Sequence, residues 1–157
     1  MIFDSQLLFA NQQAVTAAAA SVASSSFTPA PVGIVDLGVG RNIGAGTDKL
    51  YLVVQCTTAM TDGSSDSTLT ASVRTSATQA SAALTGTITT ITTLPAFPAL
   101  SAVGTQVIGV LPPGTYNRYI DVYFTPSNGN LTTGSFTAFL ASDVDLQYSY
   151  PSGFNVN

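Results

Sequence analysis

A chain of 157 residues with no His, no Glu, no Trp and a single Cys lacks most of the side chains that catalysis uses. Only 8% of its residues are charged, where about 25% is usual, while 45% are hydrophobic, so a packed core is expected and a disordered chain is not. The length fits one domain spanning 1–157.

The missing His removes every Ser–His and Cys–His nucleophile pair, and a lone Cys56 cannot assemble a zinc site or an intramolecular disulfide. Eight Asp are the only acids, so catalysis would have to rest on carboxylates alone. A net charge of −4 with only Arg41, Lys49, Arg74 and Arg118 as cations argues against nucleic acid and against anionic membrane surfaces. No stretch is continuously apolar over the length of a membrane span. The Ala- and Ser-rich segment from Ala14 to Ser26 lacks the basic residues of an export signal, and no Lys or Arg precedes Arg41.

In chain order, an N-terminal strand is expected near Ile2 to Phe9, and Gln12 to Ala20 has the composition of a short helix. A weaker strand signal covers Val32 to Leu37. Leu50, Leu52, Val54 and Cys56 then share one face of a strand whose other face carries Tyr51, Val53 and Gln55. Leu69, Ala71 and Val73 oppose Thr68, Thr70, Ser72 and Arg74. Thr85 to Thr93 and Thr105 to Leu111 read as further strands. Ile120, Val122 and Phe124 oppose Tyr119, Asp121 and Tyr123. Phe136, Ala138, Leu140, Ser142, Val144, Leu146 and Tyr148 keep one parity, as one long strand or as two joined at a bend near Ser142. Turn residues separate these runs at Asp62-Gly63, Pro112-Pro113-Gly114 and Asn128-Gly129, with Pro95 and Pro98 at another corner. The twenty-two Thr favour pleated strands over helix. The fold expected is all-β: a single jelly-roll-like antiparallel β-sandwich, with 148–157 as an extended C-terminal arm.

Three constellations bear on function. Gly38, Gly40, Gly44 and Gly46 follow a strand, but the next segment alternates as a strand and offers no helix N-terminus to a phosphate, so they read as a connection. Asp62 and Asp66 lie among Ser64, Ser65 and Ser67 and carry oxygen donors for a hard cation, yet lack the ligand spacing of a calcium loop; an exposed hairpin tip is the plainer reading. Tyr116, Tyr119, Tyr123, Tyr148, Tyr150 and Phe154 give the last third an aromatic bias and are the expected interface residues, because a Tyr ring covers area at little entropic cost and its hydroxyl finds a partner. A sugar-binding strip is the alternative use of such rings, although the Trp, Glu and His that often accompany it are missing. No catalytic residue, cofactor or metal site is expected.

Met1-Ile2-Phe3-Asp4-Ser5-Gln6-Leu7-Leu8-Phe9 with Gln13-Ala14-Val15-Thr16, then Val35-Asp36-Leu37-Gly38, Arg41-Asn42-Ile43-Gly44 and Leu50-Tyr51-Leu52-Val53-Val54, resemble the capsid cement (decoration) proteins of short-tailed bacteriophages. Arg118-Tyr119-Ile120-Asp121-Val122-Tyr123-Phe124 and Gly134-Ser135-Phe136-Thr137-Ala138 extend the resemblance across most of the chain, while Thr75 to Ser101 is longer and richer in Thr than in that family. The resemblance implies a non-enzymatic jelly roll made in the host cytoplasm and carried on the outer surface of a virion capsid. It implies the major capsid protein as partner and a homo-oligomer, dimer favoured over trimer, bridging neighbouring capsomers. A virion-surface carbohydrate-binding module is the alternative.

Overall fold

The computed structural model describes residues 7–20, 33–43, 49–81 and 83–142. Their strands are β1 (Leu8–Ala14), β2 (Ala19–Ala20), β3 (Ile34–Asp36), β4 (Arg41–Ile43), β5 (Tyr51–Thr61), β6 (Thr68–Ser76), β7 (Thr78–Ala80), β8 (Ala83–Thr85), β9 (Thr89–Thr93), β10 (Gln106–Val110), β11 (Gly114–Tyr116), β12 (Tyr119–Ser127) and β13 (Thr133–Ala141).

Period-two alternation dictates that each long strand has one apolar face, and two such faces must meet to leave water. They meet as a sandwich. One sheet has the order β1-β13-β5-β10; the other runs β2-β12-β6-β9, with β3 also pairing β12 on the β2 side. All of these pairings are antiparallel. The chain crosses between sheets from β1 to β2, from β3 to β5, from β5 to β6, from β9 to β10, from β10 to β12 and from β12 to β13. That order is the jelly roll, two interleaved Greek keys. Two small ladders, β4 with β11 and β7 with β8, sit outside the sheets.

Within β5, β6, β12 and β13 the alternation expected from sequence is the alternation found, while Val144, Leu146 and Tyr148, expected to continue the last run, lie outside the described residues. Leu52, Val54 and Cys56 of β5, Leu69, Ala71 and Val73 of β6, Ile120, Val122 and Phe124 of β12, and Phe136, Ala138 and Leu140 of β13 all enter one buried core. Phe136 lies at its centre, edge-on to Phe97 at 5.2 Å between ring centroids and tilted against Phe124 at 5.9 Å. Cys56 is buried there, its thiol within reach of the Thr58 and Ser101 carbonyls, and burial pushes its pKa up.

One expectation near the N-terminus is corrected. Gln12 to Ala20 is not helical: β1 runs through Ala14 and β2 takes Ala19 and Ala20. The helix preference of Ala is a few tenths of a kcal/mol per residue, roughly, and the backbone ladder offered by β13 and β12 outweighs it. Among the described residues the first strand, β1, shares Leu8 and Phe9 with the one expected near Ile2 to Phe9; residues 2–6 lie outside the described residues, as does the expected arm 148–157. β13 ends at Ala141, beside the bend expected near Ser142.

Phe136→Ala removes the ring that bridges the sheets and is expected to cost about 3–5 kcal/mol of unfolding free energy, read by urea denaturation. Val39→Ala, at a site 61% exposed, is expected to change it by less than about 0.5 kcal/mol.

Candidate partner-binding surfaces

Once the inner faces are consumed by the core, whatever this domain recognises must be met by outer faces, edges or loops. On the outer face of the β3-β12-β6 sheet, register places Arg74 directly opposite Asp121, Ser72 opposite Tyr123, and Asp36 opposite Tyr119. Arg74 Nε donates to Asp121 Oδ1 at 2.9 Å, its Nη2 reaches Oδ2, and the guanidinium lies 3.9 Å from the centroid of the Tyr123 ring. Arg118 repeats the arrangement: Nε and Nη2 donate to Asp36 Oδ1 and Oδ2, both at 2.8 Å, and its guanidinium is 4.8 Å from the Tyr119 ring. Both are two-pronged Arg–carboxylate forks laid over a tyrosine.

The two forks differ in solvation. Asp121 is fully buried and the Arg74 side chain is 16% exposed, so each charge depends on the other. Arg118 and Asp36 are both nearly half exposed, and water weakens their attraction. The Arg118 hydrogen bonds, aided by the Gly38 N–H, hold the Asp36 carboxyl down at about 2. Around the forks, Ser and Thr hydroxyls bond one another and the backbone, as in Ser72 with Thr93 at 2.9 Å and Thr70 to the Thr125 carbonyl at 3.2 Å. The face is hydroxyl-rich and locally neutral, with its cations already matched.

Of the expected interface residues, the three described ones do not share one surface. Tyr116 is a correction: it is 1% exposed, and its hydroxyl donates to the Pro112 carbonyl at 2.8 Å, so it clamps the 112–116 turn from inside the core. Its neighbours Arg41 to Ile43 pair with β11, and that pairing draws the ring inward. Tyr119 and Tyr123 do lie on the outer face, half-buried beneath the two guanidinium groups. Tyr148, Tyr150 and Phe154 lie outside the described residues. Asp62 accepts the Ser67 and Asp66 backbone N–H groups at 2.9 and 3.3 Å and is held below the usual carboxylate range by Ser67 first. It therefore acts as a clamp within the β5–β6 turn. Among the described residues no three His, Cys, Asp or Glu side chains gather as metal ligands would.

Sequence reasoning missed a second buried apolar cluster, on the far side of the other sheet. Leu8, Phe139, Val53 and Ile108 stand in register across all four strands of the other sheet, on its outer side, where Leu8, Val53, Phe139 and Ala141 form a second apolar cluster packed against Ile108. Alternation assigned Val53 to the outer face without showing that its cross-strand neighbours would also be apolar.

Arg74→Ala leaves the buried Asp121 carboxylate without its partner and is expected to lower stability by about 3 kcal/mol in urea titrations. For Asp36 the expectation is a pH profile. Its folded pKa lies below the unfolded value, so its contribution is present above about pH 4 and is lost as pH falls toward 2. The difference in melting temperature between wild type and Asp36→Asn should be constant from pH 7 to 5 and close by pH 2.

No curated protein matches the chain. A family model, Bbp16, matches residues 9–140, a span that begins within β1 and ends within β13 and so takes in both sheets of the sandwich. With that share of its length matched, the chain belongs to the Bbp16 family, a phage-associated family.

Proposed function

We propose that this chain is a structural virion protein that decorates the outside of an icosahedral phage capsid. In this role it binds the major capsid protein as a homo-oligomer, bridges neighbouring capsomers and stabilises the shell. The observation that carries the reading is the pairing of phage-associated family membership with an outer sheet face whose charges are matched within the chain. The hydroxyl-rich face of the β3-β12-β6 sheet holds its two arginines in neutral forks, so covering it strands no lone charge away from water. The resemblance of the chain's strand segments to phage cement proteins points the same way.

The energetics suit such a role. A protein that binds the assembled shell and not its separated subunits shifts the balance toward assembly by mass action. Many copies engaged on one particle make a modest affinity per site effective. The carbohydrate-binding alternative has less support, because Tyr119 and Tyr123 each have a ring face under a guanidinium and that face is closed to a stacked sugar.

The test adds the purified chain to shells assembled from the major capsid protein of the same phage. Saturable co-sedimentation and a higher temperature of shell disruption are expected. Shells that neither retain the protein nor gain heat resistance would refute the proposal.

A further inference from the structure

β10 closes one side of the β1-β13-β5-β10 sheet, and among the described residues nothing pairs with its far side. Its hydrogen-bonding phase follows from the bonds at its two ends: Cys56 N–H donates to the Thr105 carbonyl at 2.9 Å, and Leu111 N–H to the Leu50 carbonyl at 2.8 Å. Residues 105, 107, 109 and 111 therefore address β5, and Gln106, Ile108 and Val110 turn their N–H and C=O groups outward.

Sheet edges are normally guarded by charge, proline or a bulge. The edge strand β1 carries two register shifts, and the β6–β9 ladder at the rim of the other sheet carries one. β10 has none of these guards: it pairs with β5 in unbroken register, has no internal proline, and lies in a stretch with no charged residue between Arg74 and Arg118. The adjoining segment continues the edge along β5, through Ser101 O to Met60 N and Gly104 N to Cys56 O. Leu100, Val103 and Val110 are 53%, 64% and 43% exposed along this rim. Leu100 also holds a left-handed backbone, φ 59°, unusual for a bulky residue.

We propose that the β10 edge is a self-association seam, on which a second copy of this chain adds its own β10 antiparallel across a two-fold axis through Ile108. That centre makes Ile108 face Ile108 of the partner subunit, while Gln106 and Val110 of one copy meet Val110 and Gln106 of the other, so every outward backbone group finds a mate. The same centre extends the row Leu8, Phe139, Val53, Ile108 into its symmetry copy and joins the two sheets into one of eight strands. A second copy is the favoured occupant because the contact is self-complementary, uses up both edges at once and brings no charge of either copy together, although each chain carries −4. The inference names the surface behind the homo-oligomer of the decoration reading, and rests on that reading for its setting alone.

Sedimentation velocity on the full chain tests it. Wild type is expected at twice the 16.0 kDa chain mass, with concentration-dependent protection of the Gln106, Ile108 and Val110 amides from hydrogen exchange. Ile108→Pro deletes an N–H that β5 does not use, and proline is tolerated at such an edge position; Val110→Lys adds the missing edge charge. Both are expected to sediment as monomers at concentrations where wild type and Val39→Lys, in a loop away from the seam, remain dimeric. A monomeric wild type, or dimers that persist in both edge variants, would overturn the seam. Shell co-sedimentation reads the other claim separately: a β10 dimer that ignores shells would sink the decoration reading and leave the seam standing.

Discussion

Everything else in this domain depends on the meeting of two inner sheet faces around Phe136. A β-strand gives alternate residues to opposite sides, so the ring of Phe136 can reach Phe97 and Phe124 only if β13, β12 and the Phe97 bridge to β6 hold one phase. A slip of one residue in β13 would exchange Phe136, Ala138 and Leu140 for Ser135, Thr137 and Phe139. The core thereby sets the register, and the register decides which side chains meet on the outside.

The consequence on one outer face is a neutral surface. Arg74 meets Asp121 because their strands pair in that phase, and Arg118 meets Asp36 because β3 completes the same sheet beside β12. With so few charges in the chain, these forks hold half of its cations. Thr and Ser hydroxyls satisfy one another around them, so the face is polar without being strongly charged. On the opposite sheet the same rule lines up Leu8, Phe139, Val53 and Ile108, and there the side chains turned away from the main core are buried too, as a second apolar cluster within the chain.

Much of the sandwich was legible in the residues. β5, β6, β12 and β13 could be read because each alternates apolar and polar over several residues, and their turns carry Asp-Gly, Pro-Pro-Gly and Asn-Gly. The short ladders β4–β11 and β7–β8 have too few residues to show a period. The Ala run at 14–20 misled because Ala states a weak local preference, whereas its partners on β13 and β12 are more than a hundred residues away in sequence. The aromatic bias was read correctly as composition and incompletely as location: Tyr116, Tyr119 and Tyr123 are neighbours in sequence, yet the first faces inward toward Pro112 and the other two lie under arginines.

By itself the sequence determined the chemistry available here and the inner faces: an all-β chain without His or Glu, whose alternating strands name their own core residues. Alternation is local, so it survives in one strand read alone. Only the tertiary structure decided which strands lie side by side, and with that the Arg74–Asp121 and Arg118–Asp36 forks, the burial of Tyr116, the apolar row ending at Ile108 and the unguarded edge of β10. Each of these depends on pairing between segments far apart in the chain, and no pattern within a single segment encodes its partner.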